Sequence, residues 1–161
     1  MALPAYLTLT GERQGVIKGS CNQKGREGTI LVQAVEHEVT IPRDPQTGLA
    51  TGKRIHHPLT ILKAVDRSSA LLYMALTSGE HMKTVEINWY LINEKGQEEN
   101  YFITKLDDAI IVSIKTWKKN CLDPAFGHLG DMEEVSFTYR KIMWRSLKDG
   151  VESEDDWSSP K

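Results

Sequence analysis

The chain has 161 residues, of which 40% are hydrophobic and 26% charged. A chain of this length buries about 68–70% of the surface that its unfolded form exposes, so its core needs no disulfide or metal. Twenty basic and 22 acidic side chains leave a formal net charge of -2. This balance favours neither a nucleic-acid binder nor a protein of the membrane surface. No apolar run of about 18 residues is present, so no membrane insertion is expected.

Alternating apolar and polar residues dominate the N-terminal half and predict strands. A short strand is predicted at Tyr6–Leu9, before Gly11, and a long one at Thr29–Ile41. A third is predicted at Ile55–Val65. The side chains of this third strand that we expect to point inwards are Leu59, Ile61 and Val65.

One segment has helical spacing instead. Ser69–Leu76 has apolar residues at three- and four-residue steps, and Asp66 or Ser68 can cap its start. Gly79 can end it, because glycine adopts the left-handed conformation at low cost. We therefore predict a single helix in this region.

The C-terminal half again predicts strands. Val85–Leu91 alternates, the polar stretch Glu94–Gln97 predicts a hairpin turn, and Asn100–Leu106 predicts the return strand. Ala109–Thr116 is rich in β-branched residues and predicts a further strand. In this strand Ile110, Val112 and Ile114 share one side.

The last predicted strand runs from about Glu133 to Trp144. Val135, Phe137 and Tyr139 share one face, whereas Ile142 and Trp144 have the opposite parity, which indicates a bulge or a change of buried face. Seven or eight strands and one helix predict a mainly β fold, a small antiparallel β-barrel or sandwich with one flanking α-helix. We assign residues 1–146 to this domain.

Residues 147–161 form a predicted acidic tail. Five of them are acidic and two are lysines, so the tail has a net charge of -3 and the rest of the chain +1. Such a tail is usually solvated and mobile, and a contact role is the alternative. A lone aromatic residue in it, Trp157, has little reason to occur there unless it docks on another surface.

Few residues have the spacing of a catalytic or metal site. Lys53 follows two glycines, but the spacing and the next residue, Arg54, do not match a phosphate-binding loop. His56 and His57 are adjacent, so in a strand they point to opposite faces and do not share a metal. The remaining histidines are isolated, and the acid pairs Asp107–Asp108 and Glu133–Glu134 are best explained as solvated strand ends. We expect no catalytic residue, cofactor or metal.

Three connections are longer than tight turns require, and long loops are often functional. They span residues 14–26, Pro42–Gly52 and residues 120–130. The stretch Arg13–Arg26 is basic but has no interleaved aromatic residue, so we favour a protein contact there over nucleic acid. Cys21 and Cys121 lie in dissimilar contexts and form no metal or disulfide pattern, so we interpret them as free thiols.

Several segments resemble one family when taken together and in order. They are Pro4–Leu9, the loop end Gln23–Gly28, Gly52–Arg54 leading into His57–Leu59, Asp66–Leu72 and Glu133–Tyr139. Over about residues 3–146 the chain resembles the haemolysin-coregulated proteins of bacterial type VI secretion. The tail after Ser146 adds nothing to this resemblance.

The resemblance implies a phage tail-tube-like β-barrel that forms hexameric rings. The rings would stack into an inner tube capped by a spike protein and surrounded by a contractile sheath, with effector proteins carried or stabilised in the lumen. It also implies a structural protein rather than an enzyme. We expect the chain to be cytoplasmic before firing and then secreted without a cleavable signal peptide, because its N-terminus lacks a basic and apolar leader.

Three regions are candidates for contacts between rings. They are the Pro42–Gly52 loop with the basic residues that follow it, the Glu94–Gln97 turn and the acidic tail. The individual candidates are Pro42, Arg43, Asp44, Gly48, Lys53, Arg54, Gly96, Asp155, Asp156 and Trp157. We expect the tail to meet a basic loop of another subunit, either Arg13–Arg26 or the group of Arg43, Lys53 and Arg54.

The predicted strand Thr29–Ile41 supplies the lumen candidates, the polar residues Gln33, Glu36 and Glu38. Two other functions are compatible with a small β-barrel. A ligand-binding module would need a large apolar pocket in a monomer. A small enzyme would need a buried pair with shifted pKa values among Asp107, Asp108 and the histidines.

Overall fold

The computed structural model describes residues 2–159, so Met1, Pro160 and Lys161 lie outside the described part. The first seven strands are β1 Ala5–Gly11, β2 Gly15–Ile17, β3 Ile30–Val32, β4 Ala34–Glu36, β5 Val39–Thr40, β6 Ile55–His56 and β7 Leu59–Ala64. Helix α1 spans Ser69–Ser78. The elements after it are β8 His81–Ile92, β9 Glu98–Trp117, a short 3-10 helix at Pro124–Phe126, β10 Met132–Ser146 and β11 Val151–Asp156.

The described strands form one large antiparallel sheet and one small ribbon. The large sheet has nine strands, with the path β2-β1-β8-β9-β10-β7-β4; β3 also pairs with β1, and β11 with β10. β5 and β6 pair only with each other in the described chain. The predicted fold class, mainly β and antiparallel with a flanking helix, is confirmed, although the sheet is not closed into a complete barrel.

The core lies on the inward faces of the central strands. Ile87, Leu106 and Phe137, one from each of β8, β9 and β10, are all completely buried. Helix α1 covers part of this core through Leu72 and Ala75, each 1% exposed. The alternation seen in the sequence therefore corresponds to one buried face, as hydrophobic burial requires.

Helix α1 begins and ends close to the predicted residues. Ser68 occupies the N-cap position, but its side chain does not cap the helix; instead its backbone N–H donates to Asp66 Oδ1 at 2.9 Å. Gly79 ends the helix in the left-handed conformation, with φ 66°. This end confirms the predicted glycine C-cap.

The predicted long strand Thr29–Ile41 is wrong as a single element. β3 pairs with β1, whereas β4 pairs with β7, and the switch occurs where the Gln33 N–H donates to the Leu62 carbonyl at 2.8 Å. A segment that changes partner cannot stay one regular strand. The switch connects the two sides of the sheet and gives it a barrel-like form.

Two other predicted boundaries need correction. The strand predicted at Ile55–Val65 is interrupted at Pro58, which has no N–H to donate to a ladder, and Val65 is 45% exposed rather than inward. The strands predicted at Asn100–Leu106 and Ala109–Thr116 are one 20-residue strand, β9. Strand β9 stays continuous because β10 pairs along nearly its whole length.

The predicted change of parity in the last strand is confirmed, and the neighbouring strands share it. Tyr139 and Ile142, of opposite parity on β10, are both buried, and on β9 the buried residues shift from Leu106 to Ala109. Between these two lies Asp108, whose φ of 51° makes it the one described non-glycine residue with a positive φ. A second shift separates the pair Ser113–Ser136 from the pair Ile111–Phe137 and turns Val112 outwards, 46% exposed.

The interpretation of the C-terminus as a solvated tail is wrong for its described part. β11 pairs with β10 over six residues, from Val151 opposite Ser146 to Asp156 opposite Lys141. Asp155 is only 7% exposed. The division of the chain at residue 146 stays a prediction, and the last two residues of the predicted tail lie outside the described range.

Candidate assembly surface

Residues 39–56 form a hairpin, here called the arm, that includes the predicted Pro42–Gly52 loop. The ribbon of β5 and β6 forms its root, and a bridge between Arg43 and Ala50 continues the pairing outwards. At the tip the Asp44 N–H donates to the Leu49 carbonyl at 2.8 Å, and the Asp44 carboxylate accepts the backbone N–H of Gln46 at 2.7 Å. Asx bonding of this kind stabilises a tight turn, so the arm has a defined conformation.

The arm exposes an unusual amount of apolar surface. Its exposed apolar side chains are Val39 at 40%, Ile41 at 58%, Leu49 at 69% and Ile55 at 45%. The predicted stacking residues Arg43, Gly48 and Lys53 are also exposed, whereas Pro42 and Asp44 are partly buried. A grouped apolar surface on an ordered hairpin is typical of a surface that another protein covers.

At the root of the arm a chain of hydrogen bonds joins side chains from four parts of the sequence. Asp155 Oδ2 accepts from Arg54 Nε at 2.5 Å and contacts His56 Nε2 at 2.7 Å. His56 Nδ1 lies 2.7 Å from the Tyr139 hydroxyl, which also lies 2.7 Å from His37 Nε2. The network brings together Arg54 and Asp155, two predicted candidates, but within one chain.

The surroundings of this network shift three pKa values. Burial, together with the nearby Asp155 carboxylate, raises the pKa of Tyr139, so its hydroxyl stays protonated. Burial and the neighbouring His56 and His57 lower the pKa of His37. The hydrogen bond to Asp155 raises the pKa of Arg54. At neutral pH the network therefore holds a charged Arg–Asp pair at one end and an uncharged imidazole at the other.

The β8–β9 turn, the second predicted stacking region, is an exposed tight turn. The Gly96 N–H donates to the Asn93 carbonyl at 2.9 Å, and Gly96 has a φ of 75° that favours glycine. An open cleft of about 580 Å³ lies against this turn, with Ile92 and Tyr101 in its wall. The predicted hairpin turn is confirmed, and its role between rings stays a prediction.

The lumen candidates lie on and beside one edge of the large sheet. Glu36 belongs to β4, Gln33 precedes this strand, and Glu38 follows it; all three side chains are exposed. In the described part of the chain β4 ends the path of the sheet and pairs on one side only, with β7. These residues are accessible to solvent, and their position in a lumen stays a prediction.

Asp107 and Asp108, considered as catalytic partners of the histidines, form no buried pair with a described histidine. His81 and Asp108 form a pair, Nδ1 to Oδ1 2.7 Å, but both side chains are nearly half exposed. His57 contacts the Thr40 hydroxyl of the arm at 3.1 Å, and Lys53 is exposed. Among residues 2–159 no three potential ligands of the His, Cys, Asp or Glu type cluster as a metal site would need.

Glu133, considered as half of a solvated acid pair, is buried instead. Its carboxylate pairs with Lys63 and accepts from Ser69 Oγ at 2.7 Å, while Lys63 Nζ also contacts Asp66 at 3.1 Å. Burial of both partners makes this a structural link between β7, β10 and the start of helix α1. The only sequence signal for this link is that Lys63, a charged residue, follows Leu59 and Ile61 at the inward positions of the predicted strand.

The basic loop Arg13–Arg26 is tied down at its end. The Arg26 guanidinium lies 3.7 Å from the Tyr90 ring centroid and 4.6 Å from that of Tyr6, and it pairs with Glu98 at 2.7 Å. A guanidinium already stacked and paired is not free to bind phosphate. This loop is therefore held to the body of the protein by its own charge.

Three further predictions concern the cysteines, membrane crossing and Trp157. Cys21 and Cys121 are both free thiols, the first partly buried and the second exposed. In the described chain no helix combines the length and the apolar character that crossing a membrane requires. Trp157 docks on its own chain: its Nε1 donates to the Tyr139 carbonyl at 2.5 Å, although 44% of the residue stays exposed.

Comparison with known proteins agrees with this geometry. The sequence profile of the family described as "Type VI secretion system effector, Hcp" matches residues 6–145. The "Major exported protein" of Pseudomonas aeruginosa is 47% identical over 169 residues, which cover 99% of this chain and 98% of that protein.

Solved structures of similar proteins have the same fold. A crystal structure of an Hcp protein superposes with a TM-score of 0.90 at 35% identity, covering 98% of this chain and 99% of the other. The structure of secreted protein Hcp3 from Pseudomonas aeruginosa superposes with a TM-score of 0.78 at 39% sequence identity. The match covers 96% of this chain and 99% of the other. Hcp proteins are structural, secreted components of type VI secretion rather than enzymes. This chain belongs to the Hcp family of the type VI secretion system.

Proposed function

We propose that the protein forms hexameric rings that stack into the inner tube of a type VI secretion apparatus. The arm, an ordered hairpin whose apolar side chains its own chain leaves uncovered, is the observation that carries this proposal. A heterologous contact closes into a ring when its rotation fits, and a second one that does not close builds a tube. Membership of the Hcp family supports the same architecture.

In this proposal the arm and the β8–β9 turn project towards neighbouring rings. Leu49 and Ile41 supply the apolar part of the contact, and Arg43 and Lys53 add exposed positive charge. Exposed ion pairs contribute about 0–1 kcal/mol each, so they orient a contact that apolar burial drives. Sixfold repetition multiplies both effects across a ring face.

The lumen of the tube would carry or stabilise effector proteins, with Gln33, Glu36 and Glu38 as candidate lining residues. A spike protein would cap the tube and a contractile sheath would surround it. The chain would be cytoplasmic before firing and would leave with the expelled tube, without a cleavable signal peptide. This function needs no cofactor or nucleic acid.

Replacing one apolar residue of the arm tests the proposal. Leu49→Ser removes apolar surface at the tip, whereas Leu122→Ser removes the same side chain from the 118–131 loop, where it is 88% exposed. Electron microscopy should show shorter tubes or separate rings for the first variant and tubes of normal length for the second. Equal tube lengths for both variants and the parent chain would show that the arm does not make the stacking contact.

A further inference from the structure

We infer that the C-terminal segment 155–159 is a clasp that fixes the direction of the arm within one copy of the protein. Arg54 and His56 are its positioning residues on the arm, and Asp155 is the acceptor that both of them share. The inference rests on the proposed role of the arm in stacking. It gives the C-terminus a role in assembly that requires no contact with another copy.

The first part of the clasp is a guanidinium held by three oxygens of the C-terminal segment. Arg54 Nε donates to Asp155 Oδ2 at 2.5 Å, and its Nη2 donates to the carbonyls of Asp156 at 3.0 Å and Ser159 at 3.1 Å. The planar fork of arginine fits several acceptors at fixed angles, which a lysine cannot do. Arg54 is therefore fixed in orientation as well as in position.

The second part is a buried imidazole. The His56 side chain is 2% exposed and contacts the same Asp155 oxygen at 2.7 Å. The Trp157 ring covers it, with centroids 5.5 Å apart, and Trp157 is itself fixed by its hydrogen bond to the Tyr139 carbonyl. Arg54, which precedes β6, and His56, which lies in β6, thus both contact the C-terminal segment 155–159.

The rest of the described chain holds the arm by little else. Hydrogen bonds from residues 39–56 to residues outside 37–57 all end on Tyr139, Asp155, Asp156 or Ser159. Among residues 2–159, the hydrogen bonds of residues 41–53 join only members of that same range. The direction in which the tip points therefore depends on how firmly the root is held.

Glu152 and Glu154, two other acids of β11, have different partners. Glu154 pairs with Lys141 at 2.9 Å and Glu152 with Arg145 at 3.9 Å, both on β10 and both partly or fully exposed. They hold the C-terminal strand against the sheet and do not contact the arm. Because Asp155 contacts the arm and Glu152 and Glu154 do not, the clasp can be distinguished by experiment from a general attraction between acidic and basic segments.

Matched substitutions use this difference. Asp155→Asn and Glu154→Gln each remove one negative charge from adjacent positions, and Arg54→Gln and Arg145→Gln each remove one arginine charge, the second from a half-exposed pair outside the arm. A clasp predicts shorter tubes for Asp155→Asn and Arg54→Gln, with a loss in the double variant smaller than the sum of the two single losses, because both variants remove the Arg54–Asp155 contact. It predicts normal tubes for Glu154→Gln and Arg145→Gln. If the two tail variants shorten the tubes equally, overall charge governs stacking and the clasp is refuted.

The direction of the arm can be measured without any assembly. Spin labels on Thr47→Cys and Lys83→Cys, with Cys21→Ser and Cys121→Ser, report the distance from the arm tip to β8 by pulsed electron resonance in samples diluted with unlabelled chain. Both labelled residues are exposed. Asp155→Asn should broaden the distance distribution about twofold, because the root loses the carboxylate charge that holds Arg54 and His56, and Glu154→Gln should not.

The two measurements separate the inference from the proposed function. An unchanged distance distribution in Asp155→Asn refutes the clasp even if tubes still form. A broadened distribution supports the clasp even if the parent chain forms no rings, and in that case only the proposed function fails. Asp155→Glu, which keeps the charge and can still accept both donors, should restore a narrow distribution and tubes of normal length.

Discussion

Lys63→Met should destabilise the protein by about 3–5 kcal/mol, because it removes one partner of a buried ion pair. The Lys63 side chain is completely buried, and its Nζ contacts the Glu133 carboxylate, Asp66 at 3.1 Å, Ser69 Oγ at 3.3 Å and the Ala64 carbonyl at 2.9 Å. Methionine fills the space but donates no hydrogen bond. Glu133, 1% exposed, would then keep a charge in the core with no cation beside it.

The expected loss of unfolding free energy corresponds to a fall in the melting temperature, Tm. A domain of 150–250 residues loses about 2–4 °C of Tm per kcal/mol, so the expected fall is about 6–20 °C. Lys63→Met with Glu133→Leu removes both charges and should recover most of the loss, since well-packed apolar residues often replace a buried pair at little cost. Urea unfolding followed by tryptophan fluorescence measures each variant, at one protein concentration because association adds to apparent stability.

A control uses an exposed pair of the same type. Lys118 contacts Asp131 at 2.5 Å, but both side chains are more than half exposed. Lys118→Met should therefore leave the unfolding midpoint unchanged. An unchanged midpoint for Lys63→Met, or a double variant no more stable than the single one, would refute the buried-pair reasoning.

Three further predictions concern other parts of the chain. Arg26→Lys should cost about 1–2 kcal/mol in urea unfolding, because lysine cannot stack between two tyrosine rings and pair with an acid at once. Unfolding stability should fall as pH drops below about 6.5, the ordinary pKa of histidine: the pKa of His37 is lowered in the fold, so the unfolded chain takes up its proton first. His37→Gln should flatten that part of the pH profile. Gly19→Ala should lower Tm, because its Cβ would lie 2.4 Å from the Thr29 carbonyl oxygen, whereas Gly130→Ala, which meets open space, should not.

Local patterns predicted the elements whose partners do not change along the chain. The β8–β9 turn and the glycine that ends helix α1 depend on a few adjacent residues, and both are confirmed. The segment Thr29–Ile41 was misjudged because it changes partner from β1 to β7 at Gln33. A switch of this kind leaves almost no trace in local alternation, since both halves are extended.

The candidate surface was predicted in part. The outer part of the arm, Pro42–Gly52, was predicted as a long connection, and Arg54, Asp155 and Trp157 were predicted separately as candidates for contacts between rings. Their meeting within one chain was not predicted, because about 100 residues separate Arg54 from Asp155. Acidic composition favoured a solvated tail, yet backbone pairing with β10 and one buried carboxylate override that tendency. The amino-acid composition of a segment predicts how readily it stays in solvent, but it does not predict whether its backbone pairs with a neighbouring strand.

The molar mass of the protein in solution tests the central claim most directly. Size-exclusion chromatography with light scattering, at low and high salt, should show a species near 109 kDa, six times the 18.2 kDa chain. Larger, stacked species should persist at high salt, because apolar burial drives the stacking contact. A single species of 18.2 kDa under both conditions would contradict assembly into rings.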